Sequence, residues 1–248
     1  MTTTPRETRV LNAVVTLVDS LLDGFDVVEL LTDLTERCTQ LLDVAAAGLL
    51  LAGPGGHLHL MAATSEQSRE LELFQLQSEE GPCLDCYAAG QPVTVADLSA
   101  EDQRWPRFVS AASEAGFASV HAIPMRAAGM RLGALGLFSN NPGHLNDADL
   151  LVAQTLAHVA CVALLQEHSL TPATVMPRLR SALADRVVVE QAKGYLREAL
   201  DVSIPEAFVL LRSYARTHSD HLTEVSRRLI SDPDANQPLI DALRSTAV

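Results

Sequence analysis

The sequence predicts an α+β domain, an antiparallel sheet with flanking helices, followed by an all-α three-helix module. Three observations predict it. Apolar runs of strand length, punctuated by Gly and Pro turns, fill the region between residues 45 and 138, with helical repeats before, among and after them. Beyond Pro172 the strand signals stop and the apolar residues recur at helical spacing. The charge changes at the same place: residues 1–172 sum to −13 and residues 173–231 to +2, in a 248-residue chain of net charge −13.

The elements follow in order. Val10, Val14, Leu17 and Leu21 form one stripe over residues 6–23, and Leu11, Val15, Val18 and Leu22 a second, so this helix has a wide apolar face. Asp26–Leu42 continues as a helix with Leu30, Leu31, Leu34, Cys38 and Leu41 inward. Ala45–Ala52 reads as a buried strand, and the Gly53-Pro54-Gly55-Gly56 turn returns it to a strand over His57–Ala63. Glu70–Leu76 is a short helix, Gly81-Pro82-Cys83 opens another piece, and Val93–Val95 is a strand. A turn at Asp97-Leu98-Ser99 leads into a helix around Phe108–Ala115. Ser119–Met125 and Arg131–Phe138 are strands joined through Gly129, and Asp147–Leu165 is a long apolar helix. The helices are expected on one face of the sheet.

Pro172 disfavours continuation of the preceding helix and marks the joint at residues 170–173. Arg186–Leu200 is a helix with Val188, Ala192, Tyr195 and Ala199 on one side and Arg186, Glu190, Lys193 and Arg197 on the other. Gly194 adjoins the polar stripe, where a mid-helix glycine costs about 1 kcal/mol and is tolerable if another backbone, protein or RNA, approaches closely. Ser203-Ile204-Pro205-Glu206 has the capping-box pattern. The helix behind it buries Ala207, Phe208, Leu211, Tyr214 and Ala215 and leaves Arg212 and Arg216 outside. The third helix, Asp220–Ile230, turns Leu222, Val225 and Leu229 inward, and a polar tail begins at Asp232. The expected organisation is therefore 6–168, 173–231 and 232–248.

Composition narrows the classes. A hydrophobic fraction of 48% supports one or two real cores, while the acidic balance argues against a general nucleic-acid binder. The first ten residues lack an apolar segment, and no apolar run reaches bilayer length, so no membrane span is expected. Four cysteines, Cys38, Cys83, Cys86 and Cys161, fit a cytoplasmic protein with reduced thiols. Cys83-Leu84-Asp85-Cys86 has redox or metal spacing, but no second pair completes a zinc site, and no metal is expected. Two small side chains in a core is the plainer reading of this pair. His121 reads as a satisfied core histidine and Trp105 as a packing residue.

The run Glu190-Gln191-Ala192-Lys193-Gly194, with Arg186 before it and Arg212 in the next helix, resembles the ANTAR domain; Lys193 is the only lysine among 18 basic residues. The resemblance implies an RNA-binding module that grips tandem hairpins in nascent transcripts and prevents a terminator from forming. It implies Arg186, Gln191, Lys193 and Arg212 as RNA-binding positions; helical geometry adds Arg197 and Arg216. The same charges can also be read as solvated i,i+4 pairs. Residues 10–166 resemble a GAF domain, carried by Asp97-Leu98-Ser99, Arg104-Trp105-Pro106-Arg107-Phe108, Gly116-Phe117 and the hairpin from Ile123-Pro124-Met125 to Gly133–Leu137. Glu80-Gly81-Pro82-Cys83-Leu84-Asp85 resembles GAF domains coupled to ANTAR modules. This implies a sensor of a small molecule whose identity is unknown; no cofactor is identified. Other readings stay open: a thiol redox sensor or sulfoxide reductase using Cys83 and Cys86, or a DNA-binding regulator reading through Arg227 and Arg228. The helices at 6–22 and 147–165 carry surplus apolar surface and are expected to pair across a two-fold axis in a homodimer.

Overall fold

The computed structural model describes residues 6–22, 25–127, 129–165, 172–231 and 236–245. Two compact units emerge: residues 1–23 with 30–180, and residues 24–29 with 181–248. Leu170 and Thr171 of the expected joint lie outside the described residues.

The first unit is built on a five-stranded antiparallel sheet of order β2-β1-β5-β4-β3. Its strands are β1 (Ala46–Ala52), β2 (Leu58–Ala63), β3 (Val93–Val95), β4 (Ser119–Ala127) and β5 (Met130–Ser139). Around them lie α1 (Arg6–Leu22), most of α2 (Val27–Leu41), α3 (Glu66–Ser78), α4 (Pro82–Ala89), α5 (Pro106–Glu114) and α6 (Asp147–Leu165). The helices cover both faces rather than one. Ala122 packs in a cluster with Cys83 and Cys86 of α4, while the next residue back, His121, lines a cavity with Asp149 of α6. Successive strand residues point to opposite faces. Double coverage explains why β1, Ala-Ala-Gly-Leu-Leu-Leu-Ala, is buried at every position and shows no alternation. Gly133 lets β5 pass β1, since a Cβ there would come within 2.0 Å of the Leu50 carbonyl oxygen.

Alanines at 153, 157, 160 and 163 let α6 settle against β4, with Leu156 and Leu164 also buried. By length and composition α6 could cross a membrane, contrary to the reading from apolar runs, but half of its most apolar stretch is buried inside the protein. α1 buries Ala13, Leu17 and Leu21 and packs against α6, with Arg6 paired to Asp149. Its second stripe, Leu11, Val15 and Val18, faces solvent, as do Leu151 and Val162 of α6.

The second unit holds the C-terminal part of α7 (Pro172–Leu200) with α8 (Ile204–His218), α9 (Leu222–Ser231) and α10 (Gln237–Ser245). The capping box forms as its sequence predicts: Ser203 Oγ accepts from the Glu206 N–H, and Glu206 Oε2 accepts from the Ser203 N–H at 2.8 Å. Asp201 takes the left-handed turn before α8 at φ 53°, a position that glycine fills more easily. The core joins Val189, Ala192, Leu196, Ala207, Leu210, Leu211, Ala215, Leu222, Val225 and Leu229. α10 replaces the expected polar tail. Its Ile240 and Leu243, one turn apart, are buried in that same core.

Candidate nucleic-acid interface

The inward face of α7 is Val189, Ala192 and Leu196, one residue away from the predicted face; Val188 and Tyr195 are half-buried and Ala199 is exposed. This shift places Lys193 on the core side. Position 193 stands roughly 40° from Val189 and 60° from Leu196 around the helix. The Lys193 side chain is 9% exposed, with its ammonium donating to Glu190 Oε1 at 2.8 Å and lying 5.5 Å from the Phe208 ring centroid. A lysine stem is apolar enough to lie on the core side of a helix while its ammonium keeps a carboxylate partner. Arg186, also largely covered, pairs with the same Glu190. The predicted stripe thus exists, but half of it does not face outward. Arg197 is its exposed end, and Gln191 and Gly194 are its exposed neighbours.

On α8 the predicted outer pair also divides. Arg216 is exposed, whereas the Arg212 side chain is 14% exposed. Both reach Glu29: Arg216 Nε donates to Glu29 Oε1 at 2.6 Å, and Arg212 Nε stands 3.6 Å from the same oxygen. Arg212 also lies 5.9 Å from the centroid of Phe208. Burial, and then the neighbouring Arg216 charge, pull the Arg212 guanidinium below its ordinary pKa, with Glu29 opposing.

Glu29 belongs to a short segment, residues 25–29, held by both oxygens of the buried Asp26. Asp26 Oδ1 accepts the Glu29 N–H at 3.0 Å. Its Oδ2 accepts the N–H and hydroxyl of Thr223, at 2.7 and 2.6 Å, in the first turn of α9. Val28, 1% exposed, enters the core of the second unit. On α9, Arg227 pairs with Asp185 at 3.0 Å and Arg228 with Asp220 at 2.6 Å. Glu29 and Phe208 escaped sequence reasoning. The sequence separation of 187 between Glu29 and Arg216 leaves no local signal, while the spacing of Phe208 marks it only as core.

In the first unit the GAF-like motifs meet each other. Glu80 accepts the backbone N–H groups of Arg107 and Phe108 at 2.6 and 2.9 Å, closing the start of α5, and Asp85 pairs with Arg104 at 2.8 Å. Desolvation acts against the charged form of Glu80, but those N–H groups and the Arg107 guanidinium outweigh it and hold the carboxyl below its usual range. Trp105 is buried edge-on to Phe108. Under the sheet, Glu72 is wholly buried, with Gln75 donating to its Oε2 and Cys83 Sγ 3.7 Å from its Oε1. Gly48 and Gly136 make room, since a Cβ on either would lie 2.5 or 2.6 Å from Glu72 Oε1. Burial raises the Glu72 carboxyl to about 8, against the pull of Cys83 and Gln75.

Cys83 and Cys86 are fully buried. Burial, then the charges of Glu72 and Cys86, push the Cys83 thiol well up, and burial lifts Cys86 to about 12. Thiol attack requires the thiolate, so this environment favours the inert form. His121 is buried as expected but is only partly satisfied, with Gly143 as a backbone hydrogen-bond partner. Its Nδ1 finds no hydrogen-bond partner among the described residues, beside a cavity of about 310 Å³ lined also by His144, Asn146 and Asp149. Burial, and then His144, lower its pKa. No cluster of three or more His, Cys, Asp or Glu among the described residues could hold a metal.

Comparison with known proteins agrees with the two-part organisation of the chain. Residues 26–164 match the family model for the GAF domain, and residues 178–230 that for the ANTAR domain. The chain is similar to the GAF domain of a phosphoenolpyruvate-protein phosphotransferase from Coxiella burnetii, at 17% identity and TM-score 0.50, covering 63% of this chain and 92% of that one. It is also similar to free methionine-R-sulfoxide reductase from Neisseria meningitidis, solved with its substrate, at 16% identity and TM-score 0.50, covering 73% and 96%. At such identities the likeness is one of fold. No curated protein matches the chain. GAF and ANTAR domains are regulatory, and together they make a signal-regulated ANTAR-type regulator. The chain belongs to the GAF-domain family and carries an ANTAR domain at residues 178–230.

Proposed function

We propose that this protein binds hairpin RNA in nascent transcripts through its ANTAR domain and promotes antitermination under control of its GAF domain. The observation that carries the reading is the ANTAR match falling in the one stretch of net positive charge in an otherwise acidic chain. An acidic body disfavours stray nucleic acid and leaves the basic module to confer selectivity. Gln191, Arg197 and Arg216 are the exposed members of the interface. Arg186, Lys193 and Arg212 set the helix surfaces from which those side chains project and come to RNA as their acidic partners release them. Arginine bonds guanine bidentately and stacks on unpaired bases, which suits hairpin loops. The protein acts as a homodimer in the cytoplasm, with the exposed apolar rows of α1 and α6 pairing across a two-fold axis.

A gel shift against hairpin RNA and duplex DNA at one salt concentration tests this. Hairpin RNA is expected to bind more tightly, and Arg197→Ala with Arg216→Ala to weaken it in a folded protein. Equal or tighter binding to duplex DNA would overturn the reading in favour of a DNA-binding regulator.

A further inference from the structure

Glu29 engages two arginines of the proposed RNA-binding face. One of its oxygens meets Arg216 at 2.6 Å and Arg212 at 3.6 Å, two of the arginines placed in the proposed interface. An arginine pair that grips a carboxylate has the donor geometry to grip a phosphate oxygen. The carboxylate is also fixed in place. Asp26 caps the start of α2 with one oxygen and the start of α9 with the other, three residues before Glu29. Val28, between them, is buried in the module's core. The segment therefore carries a polar clasp, an apolar anchor and an anionic tip, in that order around the first turn of α2.

We propose that residues 25–29 are a built-in competitor for the RNA-binding face, with Glu29 occupying the Arg212–Arg216 site until RNA or a shift of this segment displaces it. The proposal rests on the RNA-binding reading and adds its regulation. Competition lowers apparent affinity by the fraction of molecules whose site is open. A partly exposed ion pair holds its site closed only modestly. Release should therefore tighten RNA binding roughly three- to tenfold.

The test is titration of the full-length protein with a pool of hairpin RNAs of randomised loop sequence. Glu29→Gln keeps the shape of the side chain and removes its charge. Asp26→Asn weakens the clasp; should it fail to fold, Glu29→Gln alone decides. Glu224→Gln, on the exposed first turn of α9, is the charge-matched control. The expected result is tighter binding for Glu29→Gln, little change for Glu224→Gln, and no gain from Glu29→Gln once Arg212→Ala and Arg216→Ala are present. Unchanged affinity in Glu29→Gln, while the wild type binds RNA, overturns the competitor and leaves the RNA reading standing. An equal gain in both glutamine variants also overturns it, since bulk charge would then account for the effect. Absence of RNA binding in every form overturns the RNA reading and this proposal with it.

Discussion

Gly194→Ala separates packing from recognition at a single position. Gly194 lies in the interior of α7, is exposed, and a Cβ added there would meet nothing within 4 Å. Alanine in an exposed helix interior is favoured over glycine by about 1 kcal/mol, because it restricts the unfolded chain and shields the helix backbone. The substitution should raise the melting temperature by roughly 4–8 °C if the second unit unfolds by itself, and by about half that in a single transition of the whole chain. Far-UV circular dichroism during a thermal ramp measures it. The same methyl group would stand between the helix and any backbone that uses the gap. If RNA makes that approach, affinity for hairpin RNA falls while stability rises. Loss of stability would refute the reasoning, since it would mean that this face of α7 is covered in the native protein. Gain of stability with unchanged RNA binding would refute the close approach and leave only the helix argument.

Other perturbations bear on the sensor and on assembly. Glu72 has a folded pKa raised from 4.5 to about 8, so its contribution to stability is complete below pH 4.5 and is lost as pH rises towards 8. Unfolding free energies from urea titrations across that window should fall with pH in the wild type by a few kcal/mol, and Glu72→Gln should flatten the slope; an unchanged slope would place the titration elsewhere. With Cys83 and Cys86 buried and their thiols raised, a chromogenic disulfide reagent should label neither in the native protein on the timescale of free thiols. Rapid native labelling of Cys83 would revive the redox reading. Val15→Asp or Val162→Asp, on exposed apolar positions of α1 and α6, should turn a dimer into monomers in sedimentation analysis without unfolding; a dimer that survives both would move the interface elsewhere.

What the sequence made legible was local. The Ser203–Glu206 box, the β4–β5 hairpin and the α1 stripe each rest on residues within a few positions of one another, and each forms. The helical wheel of α7 erred by one residue because Lys193 was assigned by its charge, whereas its stem is as apolar as a leucine side chain over most of its length. α10 was missed because its apolar residues, Leu239, Ile240, Ala242 and Leu243, fall within a nine-residue segment, too short for a helical period to stand out beyond the polar stretch at Asp232. Glu72 was invisible for another reason. It becomes interpretable only beside Gly48 and Gly136, whose missing side chains make its space, and those contacts are made across the sheet. The candidate interface was legible as residue types, and its acidic partners were not, since Glu29 comes from far along the chain.

Those acidic partners bear on how RNA binding should respond to salt. Glu190 meets Arg186 and Lys193, Glu29 meets Arg212 and Arg216, Asp185 meets Arg227, and Asp220 meets Arg228. A cation that neutralises a phosphate on a single strand ordinarily contributes about 0.7 to the slope of log K against log salt, through the counterion released from the nucleic acid. Here a cation that turns to RNA leaves a carboxylate behind, and that carboxylate gathers a counterion of its own. Part of the release is cancelled. The slope for hairpin RNA should therefore be shallower than the number of basic contacts implies, and it should steepen in Glu29→Gln, where one carboxylate fewer is uncovered. Titrations at several salt concentrations distinguish the cases. A wild-type slope as steep as that of Glu29→Gln would mean that the acidic side chains keep their partners when RNA binds, and that recognition runs through Gln191 and Arg197 instead.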